Sequence, residues 1–269
     1  MRKISLLLIL LISSFVLTKT IVVTINPYYL IVSQMVDDAV EVKLLVPPNA
    51  NPHLFSLKPS DAKLLENSDL IIANGMQLEP YLEKYHDKTI YVSDFIPDLF
   101  LEKGNQNPHI WLDPFFLKYY IVPNLYQTLS KKFPEISDEI KKNTFEILEG
   151  LDDVIKDAFI VLLPHREKLV VMTHPSFFYF FKEFGLDLMP LATGHEHATS
   201  FATLKKILEK KDNVIGLFRE PQQSSDMMAI LEKELKMKSF VLDPLGVGNE
   251  KTILELLRKN LETLKEALK

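Results

Sequence analysis

Three histidines of this chain stand next to prolines, which makes them candidates for metal ligands. They lie in the tripeptides Asn51-Pro52-His53, Asn107-Pro108-His109 and Thr173-His174-Pro175. Proline fixes its own φ and biases the preceding residue towards extended geometry, so a neighbouring histidine has few backbone conformations to lose when it binds an ion. Since the three lie far apart in sequence, unlike the clustered ligands of a zinc finger, the tertiary fold must bring them together. The pattern predicts a metal site made of His53, His109 and His174.

A carboxylate is the expected fourth ligand, because three neutral imidazoles and one carboxylate form a tetrahedral site that suits zinc at about 2.0–2.2 Å. Asp243 follows a short apolar strand and precedes Pro244, where a carboxylate can face a cleft while its strand stays packed. Glu220 ends a neighbouring strand and is the alternative, either as a ligand or as a hydrogen-bond acceptor behind a ligand. The chain contains no cysteine, so thiolate sites are excluded.

The remaining histidines are weaker candidates. His195 and His197 lie in a short Gly-His-Glu-His sequence. They could form a secondary metal site at the mouth of a cleft, or they could be loop residues without a metal role. His86 and His165 are expected to be solvated residues of loops or helix ends. The aromatic run Phe177–Phe181 follows the third histidine within a predicted helix and is expected to pack into the core.

Length and composition indicate a globular chain with a substantial core. The chain has 269 residues, of which 47% are hydrophobic, and a formal net charge of −5. A nucleic-acid-binding surface needs clustered Lys and Arg to displace condensed counterions, and the sequence contains no basic run. We therefore expect no nucleic-acid partner. The protein is separately expected to be a monomer.

The N-terminal segment 1–19 has the pattern of a secretory signal peptide. Arg2 and Lys3 precede the apolar run Ile4–Leu17, which is short for a bilayer span but suits an export signal. The expected location is the periplasm, although the cleavage site is poorly defined and an uncleaved anchor is the alternative. No cysteine follows the segment to carry a lipid, so the exported protein is expected to be free.

Strands and helices alternate along the mature chain, which predicts an α/β fold with parallel sheets. The predicted strands are Thr20–Ile25, Val42–Val46, Leu70–Ala73, Thr89–Val92, Leu169–Met172, Leu188–Leu191, Val214–Phe218 and Phe240–Leu242. Between the two sets, apolar residues recur at helical spacing from Pro134 to Leu163, which predicts one long helix. The expected architecture is two small parallel-sheet lobes, residues 20–133 and 164–269, joined by the rigid helix 134–163.

The candidate ligands are placed where such sheets bind ligands, at the carboxyl ends of their strands. His53 follows the strand that ends at Val46, His174 follows Met172, and Asp243 follows Leu242. Two lobes that face each other across their strand ends form a cleft with ligands on both sides. We therefore expect a metal cleft between the lobes.

Several segments resemble the signatures of a known family in the order in which that family has them. They are Val46–His53 with Lys58–Asp61, then Asn74–Glu79, then Pro108–Pro114. They resemble the zinc/manganese-binding solute-binding proteins of bacterial metal ABC transporters, the ZnuA/TroA-like group (cluster A-I), and the likeness covers nearly the whole mature chain. The resemblance implies that the ligands are His53, His109, His174 and Asp243, which places Asp243 ahead of Glu220.

The resemblance also implies a function in which no covalent bond is made or broken. Such a protein captures a divalent metal ion between its lobes and delivers it to an inner-membrane permease that a separate ATPase drives, so no enzyme activity is expected. Many zinc-specific members carry a His-rich loop before the second signature histidine, whereas residues 99–106 contain no histidine. His174, at a position where the family has histidine or glutamate, favours zinc, because nitrogen sites rank Zn²⁺ above Mn²⁺. We expect Zn²⁺, with Mn²⁺ as the alternative.

Two other functions remain open on the sequence. A secreted zinc-dependent hydrolase could use the same three histidines with Glu220 as the base, although a fourth protein ligand at Asp243 would leave no position for a reactive water. A surface adhesion protein could use the metal only for its structure. Such a protein should unfold when the metal is chelated, whereas a carrier should stay folded.

Overall fold

The computed structural model describes residues 19–36, 38, 40–102, 107–192, 201–222 and 226–269. Residues 1–18 of the expected signal peptide lie outside the described residues, and so do His195 and His197 of the expected secondary site. Of the helices that are described, none is long and apolar enough to cross a bilayer.

The strands of the first half of the chain form a parallel sheet. In the described residues its order is β2-β1-β3-β4, with β1 (Thr20–Val23), β2 (Glu41–Leu44), β3 (Leu70–Ala73) and β4 (Thr89–Tyr91). Every residue of β3 is buried, and Ile71 and Ile72 belong to different core clusters because successive side chains point to opposite faces. The sheet is thus covered on both faces, as is usual for parallel strands.

The strands of the second half repeat this arrangement. Over the described ranges the order is β6-β5-β7-β8, with β5 (Leu169–Met172), β6 (Asp187–Pro190), β7 (Val214–Arg219) and β8 (Ser239–Val241). The chain order reverses between β5 and β7, and open sheets bind their ligands outside the strand ends at such a point. His174 lies two residues beyond β5, and Glu220 directly follows β7.

The helices surround these sheets. In the described part of the chain they are α1 (Asn26–Val36), α2 (Pro59–Asn67), α3 (Pro114–Phe116), α4 (Val122–Lys132), α5 (Ser137–Leu162), α6 (Phe178–Glu183), α7 (Phe201–Glu209), α8 (Asp226–Leu235) and α9 (Ile253–Ala267). We call the parts of the chain before and after α5 the N-terminal lobe and the C-terminal lobe.

Helix α5 is the long helix that the sequence predicts, and it contacts helices of both lobes. It has 26 residues, or about 39 Å at 1.5 Å per residue, and a 3₁₀ turn, Pro134–Ile136, precedes it. It packs against α1 and α4 of the N-terminal lobe and against α9 of the C-terminal lobe. The contact with α9 is close at Gly150, where an added Cβ would collide with the Leu254 side chain. Two parallel-sheet lobes joined by a long helix are therefore confirmed.

Two segments differ from the sequence-based expectation. The helix that the alternation of strands and helices predicts between β3 and β4 is a 3₁₀ helix, Pro80–Lys88, whose buried Leu82 and Tyr85 stand three residues apart, the spacing of one 3₁₀ turn. The segment 114–132, for which no helix is predicted, is helical: a π-helical stretch, Leu117–Ile121, joins α3 to α4. These turns bring the chain from His109 back to α5.

Candidate metal centre

The two Asn-Pro-His tripeptides form the same local turn. The Oδ1 atom of Asn51 accepts a hydrogen bond from the backbone N–H of His53 at 3.0 Å, and Oδ1 of Asn107 accepts one from the N–H of His109 at 3.0 Å. An asparagine that bonds the backbone two residues ahead forms an Asx turn, and the intervening proline restricts it further. Each turn fixes the backbone of its histidine before any ligand binds.

His174 comes from the other lobe, just beyond the end of β5. The N–H of Thr173 donates to the carbonyl of Phe218 on β7 at 3.1 Å, so the chain stays attached to the sheet up to the histidine. The backbone N–H of Ser176 then donates to the carbonyl of His174 at 3.0 Å, and α6 begins at Phe178. His174 therefore lies at the junction of a buried strand and a short helix.

The fold brings His53, His109 and His174 together. One ring nitrogen from each lies within 4.8 Å of the others, and the Nε2 atoms of His53 and His109 are 3.2 Å apart. Two nitrogen ligands in a tetrahedral zinc site with bonds of about 2.0–2.1 Å are about 3.3 Å apart. The pair from the N-terminal lobe already has this separation, and one ring nitrogen of His174 lies within 4.8 Å of both.

The three rings face a small cavity between the lobes. Its volume is about 20 Å³, which is room for one ion or one water molecule. It is lined by Asn51, Pro52, His53, His109, Trp111, His174, Glu220, Gln222, Pro244 and Leu245. The lining comes from both lobes, so a bound ion would be enclosed by both.

Burial keeps the central imidazole uncharged. His109 and His174 are each 4% exposed, while His53 is partly exposed. Burial, followed by the charges that His174 and His53 can carry, holds the pKa of His109 well below its ordinary value. A neutral imidazole has a free lone pair and is the form that binds metals.

Glu220 lies beside His174 and lines the same cavity. It is 5% exposed, and its Oε1 is 3.4 Å from Nδ1 of His174, which is long for a hydrogen bond. The hydroxyl of Ser176 donates to the same Oε1 at 2.7 Å, and Nδ1 of His174 has no hydrogen-bond partner among the described residues. The carboxylate is thus placed to accept a hydrogen bond from Nδ1 of this ring after a small movement.

Asp243 is placed differently. Its side chain is not grouped with the three imidazoles within the described ranges, although the two residues that follow it line the cavity. Its Oδ1 accepts the backbone N–H groups of Leu245 and Gly246 at 3.1 and 2.8 Å, and its Oδ2 accepts that of Val247 at 2.7 Å. A carboxylate has about four lone-pair positions, so about one remains for another partner.

Hydrogen bonds across the cleft hold the two lobes together around the site. Their donors are side-chain N–H groups, and their acceptors are backbone carbonyls. They run from Trp111 to Pro244 at 2.9 Å, from Asn26 to Leu245 at 2.8 Å, from Gln222 to Pro48 at 3.0 Å and from Asn107 to Pro175 at 2.9 Å. Sequence reasoning missed Asn26 and Gln222, and the only available signal was that Gln222 directly follows the Glu220-Pro221 pair.

A buried polar network supports the loop that carries His109. Asn74 donates from its side chain to the carbonyl of Pro108 at 2.9 Å and accepts the hydroxyl of Tyr28 at 2.7 Å. Glu79 accepts the backbone N–H of Asn74 and the hydroxyl of Thr24, and burial raises its pKa to about 6. The segment Asn74–Glu79 thus positions a loop of the site without lining the cavity.

Of the described histidines, His86 and His165 are not part of this triad. His86 is exposed and pairs with Asp87 at 2.8 Å, and His165 lies in a 3₁₀ turn after α5. The expected secondary site, His195 with His197, falls outside the described residues. The aromatic run packs into the core as expected, with Phe177 and Phe181 fully buried.

Comparison with known proteins gives consistent results. A family model described as zinc-uptake complex component A, periplasmic (ZnuA), matches residues 21–267. A protein of Thermotoga maritima described as a candidate metal-binding protein is 66% identical over 269 residues, which is 100% of both chains. The high-affinity zinc uptake system protein ZnuA of Bacillus subtilis is 27% identical over 281 residues, with 92% of this chain and 87% of that protein covered.

A solved structure shows the same fold. The periplasmic zinc-binding protein TroA from Treponema pallidum superposes with a TM-score of 0.81 at 24% identity, over 93% of this chain and 99% of that one. The fold comparison agrees with the match of the family model over nearly the whole described chain. The chain belongs to the ZnuA family of periplasmic zinc-uptake components.

Proposed function

We propose that this protein binds one Zn²⁺ ion between its lobes and delivers it to the permease of an ABC transporter, whose ATPase drives uptake. The observation that carries the proposal is the convergence of three imidazoles, from both lobes, on a cavity of about 20 Å³. The family of the chain and the zinc uptake named for its Bacillus subtilis relative support it. The ion is cargo, so the site must hold it reversibly.

The proposed ligands are His53, His109, His174 and Asp243. The three histidines supply neutral nitrogen donors, and Asp243 supplies the remaining lone pair of a carboxylate whose other positions already bind backbone N–H groups. Glu220 acts behind the ligand set as the acceptor for Nδ1 of His174, which orients that ring and raises its basicity.

The donor set favours zinc over manganese. Three imidazoles and one carboxylate are typical of Zn²⁺, whereas Mn²⁺ prefers more oxygen ligands, and nitrogen sites bind Zn²⁺ more tightly. We propose Zn²⁺ as the ion carried in the cell and Mn²⁺ as a weaker competitor.

The size of the cavity argues against a hydrolase. The cavity, of about 20 Å³, has room for one ion or one water molecule, and Trp111, Pro244 and Leu245 are among the residues that line it. No feature of the described residues favours an adhesion function. We therefore propose a binding protein without catalytic activity.

Export and domain organisation complete the proposal. The segment 1–19 directs the chain to the periplasm, where residues 20–133 and 164–269 act as the two metal-binding lobes of a monomer and the helix 134–163 joins them. Sequencing the N-terminus of the secreted protein tests the proposed role of the segment 1–19 in export.

The test of the function is metal analysis of protein purified without added metal, followed by competitive titration with Zn²⁺ and Mn²⁺. We expect one Zn²⁺ per chain, preference for Zn²⁺ in competition, and unchanged circular dichroism after chelation at 25 °C. A chain that holds no Zn²⁺, prefers Mn²⁺, or unfolds when the metal is removed would contradict the proposal.

A further inference from the structure

Asn107 makes hydrogen bonds with both ends of its side-chain amide. Its Oδ1 accepts the backbone N–H of His109 at 3.0 Å and lies 2.6 Å from Nδ1 of the same histidine. Its Nδ2 donates to the carbonyl of Pro175 at 2.9 Å. The residue is 7% exposed, so these bonds are shielded from water.

These contacts fix the orientation of the amide. A backbone N–H can only donate and a backbone carbonyl can only accept, so the oxygen of Asn107 must face His109 and the nitrogen must face Pro175. Because that oxygen can only accept, Nδ1 of His109 must carry the proton of the 2.6 Å contact. The neutral ring then has its lone pair on Nε2.

The lone pair of His109 is directed to the site. Its Nε2 is the atom that lies 3.2 Å from Nε2 of His53, within the group of converging nitrogens. A neutral imidazole has a single ring proton to place, and the acceptor at Nδ1 fixes where it goes. The contact with Asn107 therefore selects the tautomer that can bind an ion at Nε2.

The same residue connects the two lobes. Pro175, whose carbonyl it binds, directly follows His174 in the C-terminal lobe. The backbone carbonyl of Asn107 also accepts the hydroxyl of Tyr179 on α6 at 3.1 Å. A displacement of His109 relative to His174 would therefore break bonds made by Asn107.

We propose that Asn107 is a positioning residue that presets His109 in its Nδ1–H tautomer and holds it in register with His174 across the cleft. The consequence for zinc depends on the proposed function, whereas the tautomer is a property of the metal-free protein. Residues that orient a metal-ligating histidine in this way commonly contribute 10- to 100-fold to metal affinity.

The first test is the tautomer of His109 in metal-free protein labelled with ¹⁵N-histidine. Long-range ¹H–¹⁵N correlation spectra distinguish the two neutral tautomers, and the His109→Gln variant identifies the signals. We expect the Nδ1–H form in the wild type and in Asn51→Ala, a matched change in the other Asn-Pro-His tripeptide. An Nε2–H form in the wild type would overturn the proposal, whether or not any variant folds.

Two substitutions separate the roles of Asn107. Asn107→Asp keeps an acceptor for Nδ1–H but loses the donor to Pro175, so the tautomer should persist while Zn²⁺ dissociates faster. Asn107→Ala loses both contacts, so the tautomers should mix and the affinity for Zn²⁺ should fall by about 10- to 100-fold in competition with a chelator. An Asn107→Ala protein with the wild-type tautomer and affinity would refute the inference.

The same measurements distinguish the failure of this inference from the failure of the proposed function. A wild type that shows the Nδ1–H tautomer but does not bind Zn²⁺ would support the role of Asn107 in setting the ring and would refute zinc carriage. A wild type that binds Zn²⁺ but has His109 in the Nε2–H tautomer before metal is added would refute the role of Asn107 and support zinc carriage.

Discussion

Replacement of His109 by alanine tests the metal centre most directly. The side chain is 4% exposed and contributes one of three nitrogens that lie within 4.8 Å of one another. Structural zinc sites with four ligands have binding free energies of about 10–16 kcal/mol, so an average ligand accounts for about 2.5–4 kcal/mol. His109→Ala should therefore weaken Zn²⁺ binding by about 70- to 900-fold.

A matched control is His86→Ala, because His86 is exposed and pairs only with residues of its own segment, Asp87 and the carbonyl of Glu83, in the described structure. Competition with a fluorescent zinc chelator measures both affinities. At free Zn²⁺ equal to about 1,000 times the wild-type Kd, the ion should stabilise the wild type and His86→Ala by about 4 kcal/mol. The same Zn²⁺ should stabilise an His109→Ala protein that binds about 300-fold more weakly by only about 1 kcal/mol.

Two results would refute this reasoning. If His109→Ala bound Zn²⁺ within about threefold of His86→Ala, the ion would bind somewhere other than the three converging rings. If the affinity fell but the metal-free variant had also lost much of its stability, the loss would reflect unfolding. Thermal unfolding with and without Zn²⁺ separates these cases.

Three further predictions concern residues around the site and the core. Burial raises the pKa of Asp113 to about 7, above the ordinary 3.8, so the folded state binds the extra proton and its stability should fall as pH rises from about 4 to 7. Asp113→Asn should remove up to about 4 kcal/mol of that pH dependence, measured as the free energy of unfolding in urea at pH 4 and pH 7. An unchanged difference between the two pH values would contradict this prediction. Gly150→Ala should lower stability by about 1–3 kcal/mol despite its better helix propensity, because its Cβ meets Leu254; calorimetry showing a raised Tm would contradict this. Gln222→Met should remove the bond to Pro48 and raise the Zn²⁺ dissociation rate by about 2- to 10-fold in stopped-flow chelation, whereas an unchanged rate would show that this bond does not retain the ion.

The parts of the site that are local in sequence could be predicted. The turn of each Asn-Pro-His tripeptide is made by a hydrogen bond within the tripeptide itself, so the restricted backbones of His53 and His109 could be predicted and both could be proposed as metal ligands. The strand Leu70–Ala73 is a continuous apolar run between polar residues, and the structure has a strand with the same bounds.

The parts that depend on the docking of the lobes could not be predicted. Nothing adjacent to Asn26 marks it as a donor to Leu245 and Gly246, which are more than 200 positions away. The sequence also cannot show that the oxygens of Asp243 bind the N–H groups of the loop that follows it. Helix α4, in contrast, could have been predicted from the sequence alone. Its buried Val122, Leu125 and Leu129 have helical spacing, although Pro123 interrupts the apolar pattern near its start.

Four hydrogen bonds that join the lobes around the metal site have donors of one kind and acceptors of another. Trp111, Asn26, Gln222 and Asn107 all donate from side chains, and all their partners are main-chain carbonyls. Every residue type has such a carbonyl, so the accepting positions can change identity during divergence without losing their half of the bond. Evolutionary pressure for correct closure should therefore fall on the donors alone, and paired substitutions between the two sides of the cleft should be rare.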